Sequence, residues 1–218
     1  MEITETNVKL LFIGVPLAVM ALFFYLNRKR VKDLQQLASS LGLSFSHDGP
    51  EPGALAATGI EIFRTGYSSK ASSLITFPAR SGNISVFDYR YTTHGGKNRS
   101  THKFTLALIA VPGREIPVFD LKPESFIYKI GEALGFKDID LPAFPEFSDK
   151  YRLTGPDAAA VHMFFTPQRA AWFERNQGLR VQGAAGHLVL FKREGLLPVA
   201  EWQSFIEEAK AFATEILI

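Results

Sequence analysis

The chain has no cysteine. That excludes a disulfide scaffold, a thiolate-ligated zinc or iron–sulfur centre and a cysteine nucleophile, while leaving the redox compartment open. It also has little net charge: 24 Lys+Arg against 22 Asp+Glu leave +2 over 218 residues. A nucleic-acid partner needs a dense basic face to displace counterions from phosphates, so none is expected. No low-complexity segment occurs, and 46% hydrophobic with 12% aromatic residues are too many for a disordered chain. The length suits one ordinary domain or two small ones, and is too short for a large multidomain enzyme.

What is there is unevenly placed. Leu10 to Leu26 reads LLFIGVPLAVMALFFYL, a long run without a charge. A helix rising ~1.5 Å per residue reaches about 26 Å over this run, close to a hydrocarbon core of ~30 Å. Glu2 and Glu5 precede the run, and Arg28, Lys29, Arg30 and Lys32 follow it. A cleaved secretory signal would start basic and end on small residues, and a buried soluble helix fits poorly with a run apolar on every face that a basic cluster follows at once. The pattern predicts a retained single-pass anchor over residues 1–30, in contact with a lipid bilayer through residues 10–26. Positive charge resists translocation, which puts the N-terminus out and the remaining domain in the cytoplasm. Residues 1–33 hold five basic and three acidic side chains, so the formal excess lies at this segment and residues 34–218 are neutral.

Past the anchor, VKDLQQLASSLG from Val31 places Leu34, Leu37, Ala38 and Leu41 on one helical face and stops at Gly42. This reads as an amphipathic helix packed on the domain rather than a prolongation of the anchor. Strands are predicted at 43–45, 60–64, 73–80, 84–91, 101–111 and 115–121. In ISVFDYRY, Phe87, Tyr89 and Tyr91 share one face and Asp88 and Arg90 the other. KPESFIYKIGEALG is a helix by its apolar stripe, 136–150 an ordered loop pinned by aromatics, and YRLTG a strand. Helices follow over 156–165 and 167–175, then a hairpin with strands 179–183 and 187–193. The last helix, from near Pro198, puts Trp202, Phe205, Ile206, Ala209, Phe212, Ala213 and Ile216 on one face. The fold class is α+β, an N-terminal transmembrane helix followed by a mainly antiparallel sheet packed with amphipathic helices. The domain is divided as a helix and β-meander lobe over 31–135 and an α+β lobe over 136–218, with one joint core left open.

The most distinctive polar string is TTHGGKNRSTHK, Thr92 to Lys103. It gathers His94, Lys97, Arg99, His102 and Lys103 around two glycines, a composition that suits an anion. It is not a phosphate-binding P-loop, because the G-x-x-x-x-G-K-[ST] spacing is absent and the string joins two strands. A polar hairpin tip is the simpler reading. With an adjacent bilayer, this string and Arg28, Lys29, Arg30 and Lys32 are candidate contacts for anionic lipid headgroups. His94 and His102, with Asp88 nearby, match no metal-ligand spacing, and no serine sits in a nucleophile elbow. No metal, cofactor or catalytic residue is assigned. Asp138 and Asp140 lack the rest of a calcium loop, and Asp157 after Pro156 is placed to stabilise a helix N-terminus.

The strings FDYRYTTHGGKNRSTHKFTLAL and FDLKPESFIYKIGEALGFKDIDLPAFPEFSDKYRLTGPDAAAVHMFFTP resemble an uncharacterised family of bacterial membrane-anchored proteins with an FDYRYTT…GGKN hairpin. Phe147, Tyr151, Asp157, Thr166-Pro167 and Phe173-Glu174 are similar, more distantly, to a bacterial domain of unknown function. The resemblance implies a bacterial inner membrane and an anchored α+β domain, and carries no catalytic residue. The function expected is a binding or accessory module for a membrane protein or for anionic lipid headgroups. The alternative is a membrane-tethered hydrolase or transferase that uses His94, Lys97, Arg99 and His102, which requires those side chains to converge in one pocket.

Overall fold

A computed structural model of the protein describes residues 5–80, 82–96, 98–124 and 138–216, with side chains from residue 13 onward. The chain opens on one uninterrupted helix, α1 (Glu5–Ser40). The amphipathic stretch from Val31 therefore does prolong the apolar one, contrary to the expected break. Leu34 and Ala38 are buried against the domain, and Leu37 and Leu41 pack beside them. The side chains of residues 13–29 stand exposed, among them Phe23 at 60%.

The predicted transmembrane anchor is overturned here. No helix among the described residues is long and apolar enough to cross a membrane. Arg28, Lys29 and Arg30 follow the apolar part of α1 directly. Arg30, read as a headgroup contact, is committed instead to a carboxylate on the sheet. The single-pass topology, the N-terminus-out orientation and the inner-membrane location rested on that anchor and fall with it. Hydropathy measures how apolar a run is, and not which of its flanking charges the folded domain uses.

The rest of the chain folds as β1 (Ser44–Asp48), α2 (Pro52–Ala57), α3 (Glu61–Arg64), β2 (Tyr67–Ala79), β3 (Gly82–Gly95), β4 (Asn98–Ala110) and β5 (Phe119–Pro123). It continues with α4 (Pro145–Lys150), β6 (Tyr151–Thr154), α5 (Ala158–Phe164), α6 (Pro167–Arg175), β7 (Arg180–Ala184), β8 (His187–Phe191) and α7 (Val199–Ile216). The eight strands form one antiparallel sheet in the order β1-β2-β3-β4-β8-β7-β5-β6. The α+β class with an antiparallel sheet is what the structure shows. IEIFR, expected as a strand, is the short helix α3, and α4 forms inside the predicted loop 136–150. The helix expected in KPESFIYKIGEALG falls largely on 125–137, outside the described residues.

Strand alternation gives the sheet two working faces. Ile75, Phe77, Ile84, Val86, Ala107 and Ile109 join the core that holds Leu34 and Ala38 of α1 and the apolar stripe of α7. Phe87, Tyr89, Tyr91, Phe104 and Leu106 form a second core with Leu55, Ile60, Ile62 and Phe63 from α2, α3 and their junction. Every residue expected on the inner face of the last helix, Trp202 to Ile216, is buried.

Candidate functional site

Three long strands, β2, β3 and β4, carry the site. In register, Lys70 of β2 lies opposite Arg90 of β3, and Arg90 lies opposite Lys103 of β4. Directly paired residues point to the same face, so the three cations form one row across three strands. Like charges set directly opposite each other cost up to about 1 kcal/mol per pair. Among the described residues none of the three is ion-paired. All three are exposed.

β2 bends at both ends of this segment. Its register against β3 shifts between Tyr67 and Lys70 and again between Ser72 and Ile75. Ser68 (φ 52°) and Ser73 (φ 56°) sit in those two shifts with left-handed backbone. Such a conformation costs a non-glycine residue roughly 1 kcal/mol or more. Bulges of this kind re-aim side chains, here Lys70 and Ser72.

One residue pair further along, the same face holds Asp88 opposite Thr105. The Arg30 guanidinium donates from Nε to Asp88 Oδ2 at 2.8 Å and from Nη2 to Oδ1 at 3.0 Å. Its Nη1 donates to the Leu197 carbonyl at 2.8 Å. Thr105 Oγ1 donates to Asp88 Oδ1 and accepts from the Leu197 backbone N–H. This closed network, buried at Asp88 and Thr105, pins α1 to the sheet. Phe23, Leu26, Asn27, Arg30 and Val31 follow one another at helical spacing, so the pinned face of α1 continues out over the cationic row. Between helix and strands lies a groove of about 630 Å³. Its wall is Phe23 and Leu26, and its floor is Lys70, Arg90 and Lys103, with Ser72, Ser73, His47 and Asp48 at the side.

The structure splits the residues singled out from the sequence. Arg30 and Lys103 line the groove. Lys29 pairs with Asp33 along the helix at 3.3 Å, and Arg28 and Lys32 face solvent. The string 92–103 is the end of a long hairpin: His94 pairs with Arg99 and Gly95 with Asn98 in register, and Gly96 (φ 64°) lies in the tip. Lys97 falls outside the described residues. His94 is on the face of Arg90, where its ring stacks on Tyr67. His102 is opposite Tyr91 on the other face, stacked on that ring, with Thr93 Oγ1 at 2.9 Å from Nε2 and Glu194 Oε1 at 2.7 Å from Nδ1. The two histidines do not converge, so the pocket required by a hydrolase built on them does not form. The sequence reading missed Lys70, and it missed Arg90 as a binding residue although it had placed Arg90 on the correct face.

A second charged cluster lies across the other core. Arg180 donates to Asp120 from Nε at 2.9 Å and from Nη2 at 2.6 Å, and Lys122 reaches Asp120 at 3.2 Å. Burial, and then Asp120, push the Glu61 carboxyl above its usual range. Gln182 accepts from the Ile62 backbone N–H at 3.0 Å and ties α3 to β7.

No family model and no curated protein matches the chain. A solved structure does: the crystal structure of the mycobacterial trehalose monomycolate transport factor A, TtfA, superposes with a TM-score of 0.56. The superposition covers 86% of this chain and 94% of that one at 12% sequence identity. At that identity the likeness establishes a shared fold.

Proposed function

We propose that the chain is a binding module with a lipid-related accessory role, and that its groove takes an anionic amphiphile. The observation that carries this reading is the pairing of an unneutralised row, Lys70–Arg90–Lys103, with an apolar wall, Phe23 and Leu26, in one groove. A phosphate or similar headgroup on the row relieves the repulsion among the cations, and the first carbons of its chain lie along the helix. The fold shared with a protein titled as a transport factor for a trehalose monomycolate is compatible with handling lipids. A role beside a membrane protein, with this groove holding the lipid, fits an α1 whose apolar side chains are otherwise uncovered.

Calorimetric titration with dodecyl phosphate below its micelle concentration tests the reading. Saturable binding is expected, weakening as salt rises because the row is exposed. Replacing both Arg90 and Lys103 by glutamate is expected to weaken it about tenfold or more, which is ~1.4 kcal/mol per decade. Dodecyl maltoside, with the same tail and no charge, is expected to bind the two proteins equally. Equal affinity of both proteins for dodecyl phosphate would refute a headgroup site on the row.

A further inference from the structure

The charged groups around the groove come from α1 and from β1 to β4. On the sheet they form two neighbouring rows on one face. The first is Lys70–Arg90–Lys103. In the second, Asp48 lies opposite Ser72, Ser72 opposite Asp88, and Asp88 opposite Thr105. The two carboxylates of the second row are not equivalent. Arg30 donates to both oxygens of Asp88 and spends its remaining nitrogen on the Leu197 carbonyl, so that pair is closed and neutral as a unit. Asp48 is exposed and, among the described residues, has no ion pair. It lies diagonal to Lys70, within reach of a long side chain, and offsets part of the charge at that end of the row.

Four basic groups, Arg30, Lys70, Arg90 and Lys103, therefore stand against two acids, a formal excess of +2 with histidine counted as neutral. Such an excess sorts anions by their charge. A sulfate, a carboxylate or a phosphodiester brings one negative charge and leaves the row positive. A terminal phosphate brings close to two above its second pKa of ~6. Its three acceptor oxygens suit cations spread over two strand spacings of ~4.8 Å. The second ligand charge interacts with every cation of the row at once, so the gain is collective.

We infer that the groove selects an amphiphile headed by a doubly charged phosphomonoester over singly charged anions with the same tail. This rests on the amphiphile reading and adds the charge that the head must carry.

Dodecyl phosphate and methyl dodecyl phosphate share a tail and a phosphorus centre, and the methyl ester cannot take the second charge. In calorimetric titration below their micelle concentrations, dodecyl phosphate is expected to bind at least about fivefold tighter at pH 8. At pH 5 both heads carry one charge, and the ratio of the two Kd values is expected to approach one. Arg30, His47, Asp48, Lys70, Asp88, Arg90 and Lys103 face both ligands alike, so any titration among them cancels in that ratio. Two exposed substitutions are expected to move the pH 8 ratio in opposite directions, Lys70→Gln lowering it and Asp48→Asn raising it, each by about twofold. A ratio that neither variant changes, or that both change in the same direction, overturns the charge count. A ratio near one at pH 8, with both ligands bound, overturns the phosphomonoester assignment and leaves the amphiphile reading standing. A ratio that persists at pH 5 also overturns the assignment, because the methyl group is then rejected by its shape. Failure of both ligands to bind, or inorganic phosphate competing as tightly as dodecyl phosphate, refutes the amphiphile reading and the assignment with it.

Discussion

The two bidentate arginine–aspartate pairs look alike in the sheet and serve different ends. Arg180 and Asp120 join adjacent strands, β7 and β5, with both side chains buried and a half-buried glutamate pressed against them. Arg30 and Asp88 join a helix to the sheet, with the arginine the less buried partner, at 17% side-chain exposure against 8% for Arg180. The first pair lies wholly inside the folded scaffold. The second ends at a groove and decides where the apolar end of α1 stands relative to three cations. A buried ion pair is poor evidence for net stability by itself, but removing one partner is always costly. The two pairs should therefore differ in what else is lost when they are broken.

Asp120→Ala leaves the Arg180 guanidinium buried and uncompensated. The expected loss is about 3–5 kcal/mol of unfolding free energy, read from urea denaturation by circular dichroism. Dodecyl phosphate affinity of the folded fraction is expected to stay at the wild-type value. Asp88→Ala frees Arg30, which lies beside the groove and can turn toward water, so its stability loss is expected at or below about 3 kcal/mol, the low end of that range. Here the groove fails as well, because the face bearing Phe23 and Leu26 is no longer held over Arg90. Affinity is expected to fall about tenfold, or ~1.4 kcal/mol. Should both variants lose affinity alike, or neither, the two pairs would be equivalent and the proposed division between scaffold and site would not hold.

Much of this was legible in the chain and some of it could not be. The apolar stripe of α7 follows directly from helical spacing, and each of its residues is buried. Asp157 accepts from the Ala160 N–H at 3.0 Å, the capping role its position beside Pro156 implies. The two-faced reading of ISVFDYRY survives in β3, where the aromatic face enters one core and the polar face forms the site. What periodicity cannot provide is register between strands. Lys70, Arg90 and Lys103 are scattered in the sequence and become a row only when β2, β3 and β4 pair. The TTHGGKNRSTHK string drew attention because its charges are adjacent in sequence, yet alternation sends His94 and His102 to opposite faces. The anchor expectation rested on the uncharged run and its flanking charges, whereas no helix among the described residues is long and apolar enough to cross a membrane. IEIFR has strand composition, and tertiary packing of Ile62 and Phe63 under the sheet overrides it.

The scaffold side should also set the alkaline limit. Burial pushes the Tyr91 hydroxyl up to about 12, with nearby Arg180 pulling it down and Glu194 pushing it up. Burial likewise pushes Tyr151 up to about 12. A pKa raised above the unfolded value of 10.0 means that the folded state holds its protons longer. That contribution to stability is complete below pH 10 and is lost as the pH rises through 12. Unfolding is expected to become easier across that window, and Tyr91→Phe, which has no proton to lose there, should lessen the slope. An unchanged slope in both Tyr91→Phe and Tyr151→Phe would place the alkaline weakness elsewhere.

The smallest effect is the most selective between the two pairs. Glu61 lies against Asp120 and Arg180, and the Asp88 network contains no third carboxylate of that kind. Burial, then repulsion from Asp120, raise its pKa above the ordinary 4.5, while Arg180 and Lys122 offset part of the rise. The protonated form is therefore the one the fold prefers. Stability linked to this group is complete below pH 4.5 and is lost as the pH rises through the higher folded value. Glu61→Gln keeps the shape and removes the charge, so it is expected to melt slightly above the wild type at pH 7. Its advantage should close as the pH falls toward 4, where the wild-type carboxyl is itself neutral. Thermal melts at both pH values read this difference directly. A glutamine variant that melts below the wild type at pH 7 would mean that Glu61 is chiefly a partner of Arg180 and Lys122, and that the scaffold pair is a four-member charge network rather than a bidentate pair with a strained neighbour.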